Sequence, residues 1–386
     1  MTGATALKEA LFASALAVSL WRRLYTENAT FIYIQTHYNF MANVSILGSE
    51  KSGRTSLAAN LGKKGTESDI TLYNFVKGDH IYSFVDANSY PGSLKSLVSA
   101  INLSDIALVC VPSAGLNAQT GECIIALDLL GSKRGMFVIT MSDKSNPVAL
   151  SELSEKIKSI TKGTNLEKWE ITAVSTTTFE GIEALKEKVF ALGEEVRKAN
   201  ASLNDMQTRV IVDHFFNVTG IGCVVLGIVT RGTLKVHDQL TVFPINRATE
   251  IRSIQSNDVD MKTAPAGTRV GLALKGVQSK EFDRGHIISP KEEVASKFNL
   301  QCRLSRFTQP LGVGDTVHVF AGLQDMPATI DSISAAGKEV TEAQAGSECA
   351  LTLSTQKELA YSRNDRILIA QLNNPKPRFV AECHFV

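Results

Sequence analysis

The segment Gly48-Ser49-Glu50-Lys51-Ser52-Gly53-Arg54-Thr55 constrains this chain more than any other feature. Alternating apolar residues at Val44-Ser45-Ile46-Leu47 lead into it as a strand, and Leu57-Ala58-Ala59-Asn60-Leu61 leave it with helical spacing. A glycine loop between a strand and a helix turns backbone N–H groups inward. There they cradle phosphate oxygens, helped by the positive end of the helix dipole. Gly48 and Gly53 supply the tight turn, and Thr55 stands where a hydroxyl holds Mg²⁺. Position 54 carries arginine where the consensus has lysine, so a planar fork replaces a compact charge. The anion cradle is kept and its geometry is altered.

At 386 residues the chain has room for several domains, each with its own core. A formal net charge of +1 gives no bulk attraction to nucleic acid, so any such contact must come from local patches. Cys110, Cys123, Cys223, Cys302, Cys349 and Cys383 include no C-x-x-C pair and sit mostly in apolar runs. They read as reduced core thiols of a cytosolic protein, not as a metal site or a disulfide frame. The apolar run at 11–21 is too short to span a bilayer, and Arg22-Arg23 follow it, where a signal peptide would place charge before it. With Met41 just ahead of the first strand, residues 1–40 read as an appended or mis-started leader. No membrane-spanning segment follows, and the expected location is cytoplasmic.

Within 41–200, apolar strand runs at 43–47, 82–86, 106–112, 136–140 and 170–174 alternate with helical stretches that include 121–130, 151–161 and 181–198. This alternation predicts a parallel sheet covered by helices on both faces, with ligands at the carboxyl ends of the strands. Beyond about residue 204 the pattern changes to short strands rich in Val, Ile and Thr, separated by glycine turns such as Thr219-Gly220, Arg231-Gly232 and Arg284-Gly285. Strands at 209–216, 222–230, 239–243, 248–256 and 268–274 predict one barrel over 207–290. Those at 303–307, 316–320, 326–334, 348–353 and 366–372 predict a second over 295–386.

The second block contains Ile211-Val212-Asp213-His214-Phe215-Phe216-Asn217-Val218-Thr219-Gly220, then Gly232-Thr233-Leu234-Lys235-Val236 and Ala266-Gly267-Thr268-Arg269-Val270-Gly271. Together with Ser104-Asp105-Ile106-Ala107 and Gln119-Thr120-Gly121-Glu122, these resemble the translational GTPases of the elongation-factor-Tu type. The likeness is nearest to their selenocysteine-specific, SelB-like branch in archaea and covers residues 41–386. It implies an α/β P-loop GTPase-like domain followed by two all-β barrel domains. It also implies GTP or GDP with Mg²⁺ as ligands, and aminoacyl-tRNA and the ribosome as partners. On this resemblance, a chain without that branch's C-terminal RNA-reading domain is expected. Methanogen relatives of this kind are candidates for carrying an unusual cargo such as pyrrolysyl-tRNA.

Carried over residue by residue, the resemblance assigns Gly48, Gly53, Arg54 and Thr55 to the phosphates, and Thr55, Thr71 and Asp86 to Mg²⁺. Thr71 falls in Asp69-Ile70-Thr71-Leu72, after a first switch that is short for the family. The guanine reader is Asp143 in Thr140-Met141-Ser142-Asp143, where Met141 replaces a lysine, and Ser175 opens the last element. The second switch, Asp-x-Pro-Gly-His in the family, is Asp86-Ala87-Asn88-Ser89-Tyr90. Ser89 replaces the glycine whose N–H meets the γ-phosphate. Tyr90 replaces the histidine that orients water, and a phenol titrating near 10 does this poorly. Hydrolysis is therefore expected to be weak or absent.

On the cargo side, Asp213, His214 and Arg269 match positions that face the esterified amino acid, and a site that pairs polar groups rejects analogues lacking them. Arg303, Arg306, Arg363 and Arg366 are candidates for tRNA phosphate contacts. Besides an interaction scaffold that has lost tRNA binding, two readings stay open. One is an elongation factor for a specialised aminoacyl-tRNA with a degenerate guanine-nucleotide site. The other is a nucleotide-free pseudo-GTPase that binds tRNA or another translation component.

Overall fold

The strand entering the glycine loop, β1 (Phe40–Gly48), is buried along its whole length and lies at the centre of a seven-stranded sheet. The computed structural model describes residues 40–78, 80–306, 308–374 and 377–386. Apart from Phe40, the expected leader lies outside them. After β1 come α1 (Arg54–Leu61), β2 (Lys63–Glu67), β3 (Thr71–Lys77), β4 (His80–Asp86), α2 (Leu94–Asn102) and β5 (Ile106–Pro112). Then follow α3 (Ala118–Leu129), β6 (Gly135–Thr140), α4 (Pro147–Thr161), β7 (Glu170–Ala173) and α5 (Ile182–Ala201).

The order across the sheet is β2-β3-β4-β1-β5-β6-β7. From β4 to β7 the pairing is parallel, whereas β3 runs antiparallel to β4 and β2 antiparallel to β3. The expected all-parallel sheet is thus corrected to a mixed one with an antiparallel edge. The fully exposed β2, Lys-Lys-Gly-Thr-Glu, has no apolar alternation to announce it. Helices α3 and α4 start where a side chain can cap them. Asn117 Oδ1 accepts from Thr120 N–H at 3.0 Å and Asn146 Oδ1 from Ala149 N–H at 2.9 Å, the latter with Pro147 in the first turn.

Each later block closes into a ring of six strands. In the first barrel, Arg209–Val218 pairs with Gly222–Arg231, and Gln239–Phe243 pairs both with Ile287–Ser289 and with Arg247–Ser256, leaving no edge in the ring. In the second, Thr316–Ala321 closes the ring against Gln324–Ala335. The strand expected at 303–307 is corrected: Glu293–Leu304 begins ten residues earlier and ends at Leu304. Phe379–Phe385 is a further strand that the sequence pattern does not announce. Cys302 and Cys383 stand opposite each other on neighbouring strands and are joined as a disulfide, which corrects the reading of six free thiols. The other four cysteines are free and buried.

One apolar core runs from Leu47, Val85 and Phe137 of the sheet domain to Ile211 of the first barrel and Phe320 and Phe379 of the second. The three folded blocks therefore share packing and are not beads on a string. Among the described residues no helix is long and apolar enough to cross a membrane.

Candidate functional site

At the carboxyl end of β1, Gly48 has φ +147°, and a Cβ there would lie 2.5 Å from the Cys110 carbonyl and 2.7 Å from Ser52 Oγ. Only glycine fits that approach. The loop is braced from the side by Thr140, whose Oγ1 donates to Ser52 O at 2.6 Å. Helix α1 begins with no side chain capping its first turn, so its N–H groups face the loop. The hydroxyls of Ser49 and Ser52 are buried without a hydrogen-bond partner among the described residues. An uncapped helix start with unpartnered hydroxyls is the donor set of an anion cradle, and the residues present fit a polyphosphate.

The cation side is also assembled. Thr55 Oγ1 donates to Asp86 Oδ2 at 2.7 Å, and Thr71 is the cross-strand neighbour of Asp86. Asp86 is fully buried and its Oδ1 accepts no hydrogen bond. Burial pushes the Asp86 carboxyl above its usual range; the Thr55 hydroxyl and the Arg54 guanidinium offset part of that. A divalent cation would supply the missing compensation, so this donor set fits Mg²⁺. Asp143 sits in the short turn Ser142–Lys144 after β6, and Ser175 follows β7. Ser142 N–H donates to Val174 O at 3.1 Å, and Ser175 Oγ accepts from Thr177 and Thr178 N–H at 3.2 and 3.0 Å. Met141 takes a left-handed conformation, φ 57°, and a Cβ at Gly53 of the loop would meet its methyl at 3.5 Å.

Arg54 is turned away from the cradle. Its Nη1 donates to Ala87 O at 2.7 Å and its Nη2 to Tyr90 O at 2.9 Å, while the side chain is 8% exposed. The fork thus binds the second switch and not the loop. Tyr90 is likewise committed. Its hydroxyl donates within a pair of contacts, 2.8 Å to Gln119 O and 2.9 Å to Glu122 Oε2. Burial drives the phenol's pKa far upward, and the neighbouring Cys123 and Glu122 add to it. Glu122 in turn takes Arg378 of the second barrel, from Nε at 3.0 Å and Nη2 at 2.7 Å. Burial opposes ionisation of Glu122, but the Arg378 donors outweigh it and hold the carboxyl below its usual range.

On the first barrel, strict alternation would send Asp213 and His214 to opposite faces. A β-bulge between Val212 and His214 breaks the alternation and brings both to one side, with His214 Nδ1 3.3 Å from Asp213 Oδ2. Arg269 Nη2 donates to the same Asp213 oxygen. Burial works against the Asp213 charge, yet Arg269 and His214 outweigh it and push the carboxyl down to about 2. The predicted trio therefore forms one cluster. Sequence reasoning missed what this cluster faces. His214 Nε2 lies 3.0 Å from Ser68 Oγ, and Arg284 Nη1 donates to both oxygens of Asp69 at 2.6 Å. In the sequence Arg284 stands out only as a turn residue. Its partner is distant along the chain, and no local pattern marks such a pair. Asp213 Oδ1, Arg269 Nη1, and Arg284 Nε and Nη2 are buried with no hydrogen-bond partner among the described residues.

Of the arginines expected on tRNA phosphates, Arg303 binds Glu382, Arg363 binds Glu293, and Arg366 reaches Glu382 and Leu129 O. These three have acidic partners within the chain, whereas Arg306 is exposed.

Residues 222–289 match the family of elongation factor Tu domain 2. The chain is 35% identical over 312 residues to an uncharacterized protein of Methanocaldococcus jannaschii, covering 80% of this chain and 89% of that one. It is 29% identical over 374 residues to the selenocysteine-specific elongation factor of the same organism, covering 89% and 78% of the two chains. The crystal structure of translation elongation factor SelB from Methanococcus maripaludis, in complex with the GTP analogue GppNHp, matches with a TM-score of 0.77 and 28% identity. That match spans 89% of this chain and 78% of SelB. The chain belongs to the SelB/EF-Tu-like translational GTPase family.

Proposed function

We propose that this protein is a SelB-like elongation factor that carries a specialised aminoacyl-tRNA to the ribosome in the cytoplasm. It holds guanine nucleotide weakly and hydrolyses GTP slowly or not at all. The loop from Gly48 to Thr55 would take the phosphates, Thr55, Thr71 and Asp86 the Mg²⁺, and Asp143 with Ser175 the base. Bound Mg²⁺ would supply charge neutralisation on the phosphates. The observation that carries the reading is the position of Tyr90. A water-orienting group needs a free acceptor or donor beside the phosphate, and the Tyr90 hydroxyl is engaged by Gln119 and Glu122. Arg54 leaves the cradle without the phosphate cation of the consensus, which supports weak affinity.

For the cargo, the unpartnered atoms of Asp213, Arg269 and Arg284 are what a polar amino acid esterified to tRNA would pair with. Pyrrolysyl-tRNA is the first to try against selenocysteyl-tRNA and ordinary aminoacyl-tRNAs. Calorimetry with GDP, GTP and GppNHp, with and without Mg²⁺, tests the nucleotide half on the full chain and on Asp143→Ala. Mg²⁺-dependent binding that Asp143→Ala abolishes supports it. No heat at millimolar nucleotide rejects it. A cargo titration on Arg269→Ala tests the other half, and unchanged affinity for every aminoacyl-tRNA tried rejects the assigned cleft.

A further inference from the structure

In a switch of this family a γ-phosphate acts by recruiting groups that are otherwise idle. Here two of those groups, Ser89 N–H and Arg54, already have partners in the chain. Ser89 N–H, at the position that would meet the γ-phosphate, donates to Asp69 O at 3.1 Å. Asn88 Nδ2 donates to Ser68 O at 3.2 Å, so both neighbouring residues of the second switch are tied to the first. The Asp69 carbonyl also accepts from Ser96 Oγ of α2 at 2.7 Å, and its carboxylate is held by Arg284 of the first barrel. From the loop side, Arg54 bridges the carbonyls of Ala87 and Tyr90. From the second barrel, Arg378 Nη2 donates to Pro91 O at 3.1 Å while its other donors grip Glu122. Both switch segments are therefore fastened to the loop helix, to α2 and to both barrels by groups of the chain itself.

We propose that these contacts, with Arg54 as the central staple, hold the two switch segments in the assembled state without a γ-phosphate. Cargo affinity is then the same with GDP, with GTP and with the site empty. This deepens the proposed function, because it concerns how that same site is regulated, and it rests on that reading for the role of the cleft. A ligand shifts a conformational equilibrium only by its differential affinity for the two states. Where the donors that would distinguish GTP from GDP are already paired, that difference vanishes. The arrangement also closes the cargo cleft on one side, since His214 and Arg284 contact the first switch directly.

Amide hydrogen exchange on the full chain, alone and with GDP or GppNHp and Mg²⁺, tests the proposal, with calorimetry reporting nucleotide occupancy in each sample. The expected result is protection of peptides spanning 68–71 and 86–91 that agrees within about twofold across the three conditions. Protection that rises about tenfold or more with GppNHp alone overturns it. Arg54→Lys, which cannot bridge both carbonyls as a planar fork does, should loosen 86–91 and make its protection depend on nucleotide. Arg284→Ala should loosen 68–71 while leaving 86–91 less affected. Peptides from 209–256 and 316–370 report folding, and a variant that loses protection there is judged by the other one. If folded Arg54→Lys keeps wild-type protection at 86–91, Arg54 is not the staple and the proposal fails. Protected switches in a chain that binds no nucleotide support the staple and reject the guanine-nucleotide reading instead.

Discussion

Single residues decide whether the buried charges of this chain are supported or orphaned. Arg54 donates to two buried carbonyls and sits 3.9 Å from Asp86, so Arg54→Ala takes a donor from each carbonyl and the nearby positive charge from Asp86. Urea unfolding should show a loss of about 3 kcal/mol with an unchanged m-value, and a smaller loss for Arg54→Lys, whose ammonium still donates. Asp213 gives a prediction that depends on pH. Its carboxyl is held down at about 2 in the folded chain, below the ordinary value, so ionisation stabilises the fold. That contribution is complete above about pH 4 and disappears as the pH falls to about 2, a loss of roughly 2 kcal/mol. Asp213→Asn should therefore be less stable than wild type by about 3 kcal/mol at neutral pH, with the gap narrowing through that window. Asp86 and Asp105, which burial shifts the other way, are common to both proteins and cancel in the difference.

At the scale of elements, local signals account for the strand, loop and helix around the phosphate cradle, because backbone geometry there is set by near neighbours. The antiparallel edge and the bulge at Asp213 had no such signal. The edge strand β2 is wholly exposed, and a bulge becomes visible only when the partner strand Gly222–Arg231 is laid beside it. Helices also show how tertiary contact overrides propensity. A Cβ added at Gly193 in α5 would lie 2.8 Å from the ring of Tyr82, which is buried against Phe190. Gly193→Ala should gain about 1 kcal/mol of helix propensity and lose more to overpacking, lowering the melting temperature. Gly121→Ala in α3, where the same atom meets nothing within 4 Å, should raise it. Thermal scans of the pair separate packing from propensity.

For the whole molecule, the blocks are joined by buried ion pairs as well as by shared apolar core. Arg378 of the second barrel binds Glu122 of the sheet domain, and Arg209 of the first barrel binds Glu292 in the connection between the barrels and Asp365 of the second. Arg378→Ala leaves Glu122 buried and unpaired, so calorimetry should show unfolding split into two transitions, with the sheet domain melting first. A single sharp transition at the wild-type temperature would mean that apolar packing alone couples the blocks. The amino-acid sequence by itself determined the fold class and the strand, glycine loop and helix around Gly48 to Thr55, because turn chemistry and strand period are local properties of the chain, whereas Asp213, His214 and Arg269 were singled out by resemblance. Tertiary structure alone decided where Arg54 points, which side of the barrel Asp213 and His214 share, and which cysteines pair. Each of these depends on a partner brought near by folding: Ala87 and Tyr90 for Arg54, the neighbouring strand for the bulge, and Cys383 for Cys302. An arginine fork is satisfied by whichever acceptors the fold places within reach, and in this chain those acceptors belong to the switch and not to the loop.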